Sequence, residues 1–128
     1  MRVYLDSSEL VHRAQAIRVG GVWRPPLEGL DGYALVTSAI ARVELNRTLL
    51  RSESSDAAQQ LTAKALTDVD SLAPSLAILE SAAVLPVRFL KSLDAIHIAS
   101  ALLVEAHVVL TRDRQMQRAC EELGLAVA

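Results

Sequence analysis

The chain has 128 residues, 52% of them hydrophobic and 22% charged. That length suits one domain, spanning residues 1–128, with a core of its own, and the composition excludes a disordered tail, a collagenous repeat and a low-complexity linker. Thirteen Lys and Arg against fifteen Asp and Glu leave a formal net charge of −2, so phosphate contact has to come from local clustering rather than from a general positive field.

Arg2-Val3-Tyr4-Leu5 is a short β-prone run that stops at Asp6-Ser7-Ser8, and Leu10, Val11 and Ala14 follow at helical spacing. A strand and then a helix are expected. Gly20-Gly21 ends that helix, and the Gly- and Pro-rich stretch to Gly32 is the least regular part of the chain. Tyr33 to Val36 reads as a second strand, after which Thr37-Ser38 caps a helix to about Ser52 with Ile40, Val43 and Leu50 facing inward. A helix from Ala57 to about Thr67, a weak edge strand Val69–Leu72 and a helix from Pro74 to about Ala83 come next.

Ser92 is expected to cap a very apolar helix, Leu93 to about Glu105, with Asp94, His97 and Glu105 near one stripe. Val108-Val109-Leu110 reads as a strand, Arg114–Leu123 as a helix behind a Thr111/Asp113 cap, and Leu125–Val127 as a last short strand. Apolar strands without polar alternation, separated by helices, indicate an α/β fold with a mainly parallel sheet covered on both faces. The N-terminus reaches Asp6 and Glu9 with no apolar signal core, and no run approaches the roughly 18 to 20 apolar residues that span a bilayer. The lone Cys120, without CxxC or Cys/His spacing, fits a reducing cytoplasm and a small packed residue in the last helix.

Ligands of such sheets gather at the carboxyl ends of the strands. Asp6 follows the first strand, Asp113 follows Val108–Leu110, Asp94 lies in the first turn of the apolar helix, and Glu44 lies in the second turn of the helix after Ser38. Each has a structural alternative: Asp6 and Asp113 as helix N-caps, Glu44 as a surface partner of Arg47 or Thr48. Asp94, set among Leu93, Ala95, Ile96 and Ile98, needs a partner or a task. If the four converge, each pair ~5 Å apart repels by about 3 kcal/mol at an effective dielectric near 20. Such a set calls for a cation, and an all-oxygen site selects Mg²⁺ or Mn²⁺ rather than zinc.

His97, one turn after Asp94, either orients a carboxylate, contacts substrate or is a hydrogen-bonded core histidine, whereas His12 and His107 show no motif spacing. No GxGxxG, GxxxxGK[ST] or GxSxG is present, which leaves dinucleotide, P-loop and hydrolase-elbow chemistry without an anchor. Arg42 and Arg47 flank Glu44, Arg88 and Lys91 precede Asp94, and Arg112 and Arg114 flank Asp113. They form either solvated helix faces or a basic rim beside the acids, and arginine suits bidentate contact with phosphate.

The segments Val3-Tyr4-Leu5-Asp6-Ser7-Ser8, Thr37-Ser38 leading to Val43-Glu44-Leu45, Ser92 to Ala101 around Asp94, and Leu110-Thr111-Arg112-Asp113-Arg114 resemble the PIN-domain nucleases, most closely the VapC-type toxins of toxin–antitoxin pairs. The resemblance spans nearly the whole chain and implies a three-layer α/β/α sandwich and a Mg²⁺- or Mn²⁺-dependent endoribonuclease. It implies Asp6, Glu44, Asp94 and Asp113 as the catalytic, metal-binding quartet, with Ser8 and Thr111 as polar residues near the metal. It further implies an RNA substrate, a cognate VapB-like antitoxin and a homodimer. Arg112 stands where the family often has an aromatic residue, and residues 18–32 carry no family-like pattern. Two other readings compete: a catalytically idle PIN-like module that only binds a partner, and a receiver-like phosphoacceptor domain. The latter expects adjacent acids after the first strand and a Lys near the last strands, which this chain lacks.

Overall fold

Val3, Tyr4 and Leu5 are wholly buried because the first strand, β1 (Arg2–Leu5), lies inside the sheet with helices on both faces. The structure, a computed structural model, describes residues 1–27 and 32–128; the part of the turn-rich stretch at 28–31 lies outside the described residues. After β1 come α1 (Ser7–Arg18), β2 (Ala34–Ser38), α2 (Ile40–Leu49), α3 (Ser55–Ala65) and β3 (Val69–Leu72). Then follow α4 (Leu76–Ala83), α5 (Ser92–Leu103), β4 (Val108–Leu110) and α6 (Arg114–Glu122).

The four strands are parallel in the order β3-β2-β1-β4, which puts the weak strand at an edge. Side chains alternate across a strand. Val3 and Leu5 therefore pack with Leu10, Ala14 and Leu45 under α1, α2 and α3, while Tyr4 packs with Ile98, Met116 and Cys120 under α5 and α6. Helix α4 adds to the second layer by packing Ile78 and Ala82 on Ala95 and Ala99 of α5. The result is the expected three-layer α/β/α sandwich. Among the described residues no helix is long and apolar enough to cross a membrane.

The chain runs outward from β1 through β2 to β3, then returns to place β4 on the other side of β1. The direction of winding reverses between β1 and β4, and the carboxyl ends of strands at such a reversal open the crevice that α/β folds use for ligands. Asp6 and Thr111 lie at that point, because β1 and β4 pair with Leu5 opposite Leu110.

Several local expectations change. In α2 the buried positions are Ala41, Leu45 and Leu49, and Val43 is 64% exposed; two apolar stripes compete on this helix, and the one meeting the layer of α1 and α3 is buried. The helix also stops at Leu49, where Arg51 and Ser52 bond back only three residues and tighten the turn. Thr37 and Ser38 belong to β2, although Ser38 Oγ still accepts the Ile40 N–H. Lys91, not Ser92, occupies the N-cap position of α5, with no side-chain cap bond. Glu105 falls beyond that helix with φ of 52° and is exposed, so it leaves the stripe of Asp94 and His97. The strand expected at Leu125–Val127 reduces to one bridge from Val127 to Val109, since β4 itself is only three residues long.

Candidate active site

Asp6 leaves β1 and caps α1, and both roles fall on one carboxylate. Its Oδ1 accepts the Ser8 hydroxyl (2.7 Å) and the Glu9 N–H (3.1 Å), and its Oδ2 accepts the Thr111 hydroxyl. The side chain is buried at 3% exposure, and burial pushes its pKa up while those three donors pull it back. Thr111 is held in turn by the Asp113 N–H (3.1 Å) and Ser8 by the Arg112 N–H (2.9 Å), so the loop after β4 is laced to the start of α1. Ser8 and Thr111 thus orient Asp6.

Glu44 comes from α2 and is fixed from two sides. Its Oε1 accepts His97 Nε2–H at 2.6 Å, and its Oε2 accepts the Ser7 hydroxyl at 3.2 Å. The other ring nitrogen of His97 meets the Tyr4 hydroxyl at 2.8 Å, in an edge-on ring arrangement. A neutral imidazole protonated on Nε2 satisfies both contacts, with Tyr4 donating to Nδ1. Burial raises the Tyr4 pKa, which keeps the hydroxyl protonated for that task. His97 is 1% exposed, so it is at once a core histidine and the group that orients a carboxylate. Tyr4→Phe keeps the ring but leaves Nδ1 buried without its donor, and should lower unfolding stability by about 1 to 3 kcal/mol in urea titration.

Asp94 lies in the first turn of α5. Its half-buried carboxylate accepts no hydrogen bond among the described residues. Burial raises its pKa first, followed by the negative charge of Asp113; Asp6 and Glu44 raise it further. The four acids therefore share one electrostatic neighbourhood. Asp113, the N-cap of α6, uses Oδ1 to accept the Gln115 (2.8 Å) and Met116 (3.4 Å) N–H groups, leaving Oδ2 available. Among the described residues no three His, Cys, Asp or Glu side chains are already gathered into a set that could hold an ion.

The basic residues scatter more widely. Arg42 and Arg47 line a hollow with Gln59 and Thr62, between α2 and α3. Lys91 is exposed at the N-cap of α5, Arg114 is exposed at the start of α6, and Arg112 pairs with Glu9 at 3.3 Å. Glu9, Ser7, Tyr4 and Trp23 escaped the sequence reading. An acid three residues after a capping Asp reads as a solvated partner of the helix N-terminus, yet Glu9 is 2% exposed and accepts Trp23 Nε1–H at 2.9 Å.

A parallel three-layer α/β/α fold whose winding reversal opens beside Asp6 and Thr111 defines a class of α/β domains that take ligands at the carboxyl ends of their strands. The PIN domain matches residues 3–122, and the chain belongs to that family, which sets the receiver-like reading aside. It is 35% identical over 132 residues to Ribonuclease VapC46 of Mycobacterium tuberculosis, covering 98% of this chain and 95% of that protein. The VapC-type resemblance holds. Among solved structures, VapBC2 of Rickettsia felis bound to a promoter DNA fragment matches with a TM-score of 0.72 at 12% identity, over 100% of this chain and 98% of that one. Mycobacterium tuberculosis VapC20, a sarcin-ricin loop cleaving toxin, matches with a TM-score of 0.67 at 18% identity, over 91% and 94%. These two share the fold.

Proposed function

We propose that the chain, acting as one nuclease domain, is a divalent-cation-dependent endoribonuclease toxin neutralised by a cognate VapB-like antitoxin. One observation carries the reading: the half-buried Asp94 carboxylate accepts no protein hydrogen bond among the described residues, while Asp113, Asp6 and Glu44 all raise its pKa. That imbalance suits a hard cation, and the donor set is all oxygen. Asp6, Glu44, Asp94 and Asp113 would hold Mg²⁺ or Mn²⁺, which supplies an activated water and charge neutralisation at the phosphate when bound. The rest falls to the chain's own groups. Ser8 and Thr111 orient Asp6, His97 and Ser7 orient Glu44, and α6 fixes Asp113 through its capped N–H groups. Arg112 and Arg114 stand beside Asp113 to meet the RNA backbone, with Arg42, Arg47 and Lys91 as further members of a basic rim.

The ribonuclease name of the relative and the VapBC assembly of the structural neighbour support the RNA substrate and the antitoxin. A homodimer and a cytoplasmic location belong to the same reading. Exposed Leu76, Leu79 and Leu93 on α4 and α5 offer apolar surface for a second copy. Expression of the chain alone should arrest bacterial growth, and co-expression of the cognate antitoxin should restore it. A partner that binds tightly while RNA cleavage continues undiminished would overturn the inhibitory arrangement, and an idle module would arrest nothing and cleave nothing.

A further inference from the structure

We infer that Arg112 positions an RNA phosphate beside the acid cluster, and that the buried carboxylate of Glu9 fixes the guanidinium for that task. The inference rests on the ribonuclease reading above. The Glu9 side chain is 3% exposed, whereas that of Arg112 is 52% exposed, so the ion pair has a buried half and an open half. Glu9 Oε2 faces Arg112 Nε, and Oε1 accepts the Trp23 indole N–H. Trp23 is itself clamped under the Arg13 guanidinium, 5.1 Å from the ring centre. A carboxylate held from two sides has little freedom, and it passes that rigidity to the arginine.

The backbone of Arg112 is equally constrained. Its N–H donates to Ser8 Oγ, and the Ser8 hydroxyl donates to Asp6, so Arg112 is anchored in the network that orients the first acid. A guanidinium carries two donor edges. Glu9 takes the Nε side, and the Nη groups make no hydrogen bond among the described residues. They are left for a phosphate, which two parallel N–H groups match in geometry. Arg112 also lines a surface hollow with Arg114, Thr111, Gln117 and Glu9; Glu9 is already turned to Arg112 and Trp23, so the hollow adds Arg114 as a second cation beside the Nη groups. Pairing with Glu9 cancels much of the long-range attraction, so the arrangement contributes orientation more than affinity.

The test uses the intact chain and a fluorescein-labelled single-stranded oligoribonucleotide of mixed sequence. Binding is measured in an Asp94→Asn background with EDTA, and cleavage in the Asp94 protein with Mg²⁺. Arg112→Ala should weaken binding about tenfold and reduce the slope of log K against log salt by about 0.7. Arg112→Lys should keep that slope while kcat falls, since the charge stays and the two-pronged contact goes. Glu9→Gln should leave affinity equal or higher but lower kcat about threefold to tenfold, because the cation remains and its orientation is lost. Trp23→Phe, which keeps the ion pair but removes the indole N–H that holds Glu9 Oε1, should lower kcat in the same direction as Glu9→Gln and by a smaller factor.

A purely structural ion pair predicts a lower Tm in Glu9→Gln with kcat and KM unchanged, and that result would overturn the role of Glu9. Unchanged affinity and salt slope in Arg112→Ala would overturn the whole assignment. If the parent protein cleaves RNA while the Arg112 variants behave like it, this inference alone fails. If the parent neither binds nor cleaves RNA, the ribonuclease reading fails with it.

Discussion

Asp94→Asn is expected to abolish RNA cleavage, lowering kcat/KM by about a hundredfold or more, with an unchanged circular dichroism spectrum. The expectation separates charge from structure, because the Asp94 carboxylate accepts no hydrogen bond among the described residues and the amide is nearly isosteric. Removing it takes away a negative charge and little else. Asp6→Asn should be equally inactive, but its side chain caps α1 and accepts the Ser8 and Thr111 hydroxyls, so a stability loss of up to about 1 kcal/mol should accompany the defect. EDTA should reproduce the loss in the parent protein and excess Mg²⁺ should reverse it. Full cleavage by Asp94→Asn at equal metal would remove that residue from the site. A folded Asp6→Asn variant with parental activity would do the same for Asp6.

Thermal melts with and without metal should show the second large effect. The folded-state pKa values of Asp6 and Asp94 are raised, so the folded chain holds these protons more tightly than the unfolded chain does. Below the ordinary carboxylate range both states are protonated and these groups carry no penalty. As pH rises from that range through the raised folded values, the folded state loses stability. Without metal at neutral pH, Asp94→Asn should therefore melt at the parental temperature or up to about 3 °C above it, a small effect because the side chain is only partly buried. The parent should gain from Mg²⁺. With a Kd of ~1 mM, 10 mM Mg²⁺ would add about 1.4 kcal/mol, or roughly 3 to 6 °C, and Asp94→Asn should lose most of that rise. Independent helix caps predict lower stability in the variant under both conditions, and equal metal-induced shifts in the two proteins would defeat the cluster.

The Asp94 block and the acids that follow two strands were legible along the chain because their physics is local. A carboxylate in a helix as apolar as Leu93–Leu103 is anomalous wherever that helix packs, and an acid after a β-prone run lies at a strand's carboxyl end in any parallel sheet. Apolar strands separated by helices likewise determined the sandwich. The rotation of α2 was not local: Ile40/Val43 and Ala41/Leu45/Leu49 are both apolar stripes, and only the layer of α1 and α3 decided that the second is buried. The same holds for the groups that serve the acids. Tyr4 and His97 are 93 residues apart, and so far from each other in sequence that no spacing relates them; β1 and α5 bring them together behind Glu44. Glu9 reads as a solvated first-turn acid until the loop after β4 delivers Arg112 and the segment after α1 delivers Trp23. Helix periodicity and strand alternation are written in neighbouring residues, whereas the partner of a buried charge is supplied by whichever element the topology lays across it, and that choice exists only in the folded chain.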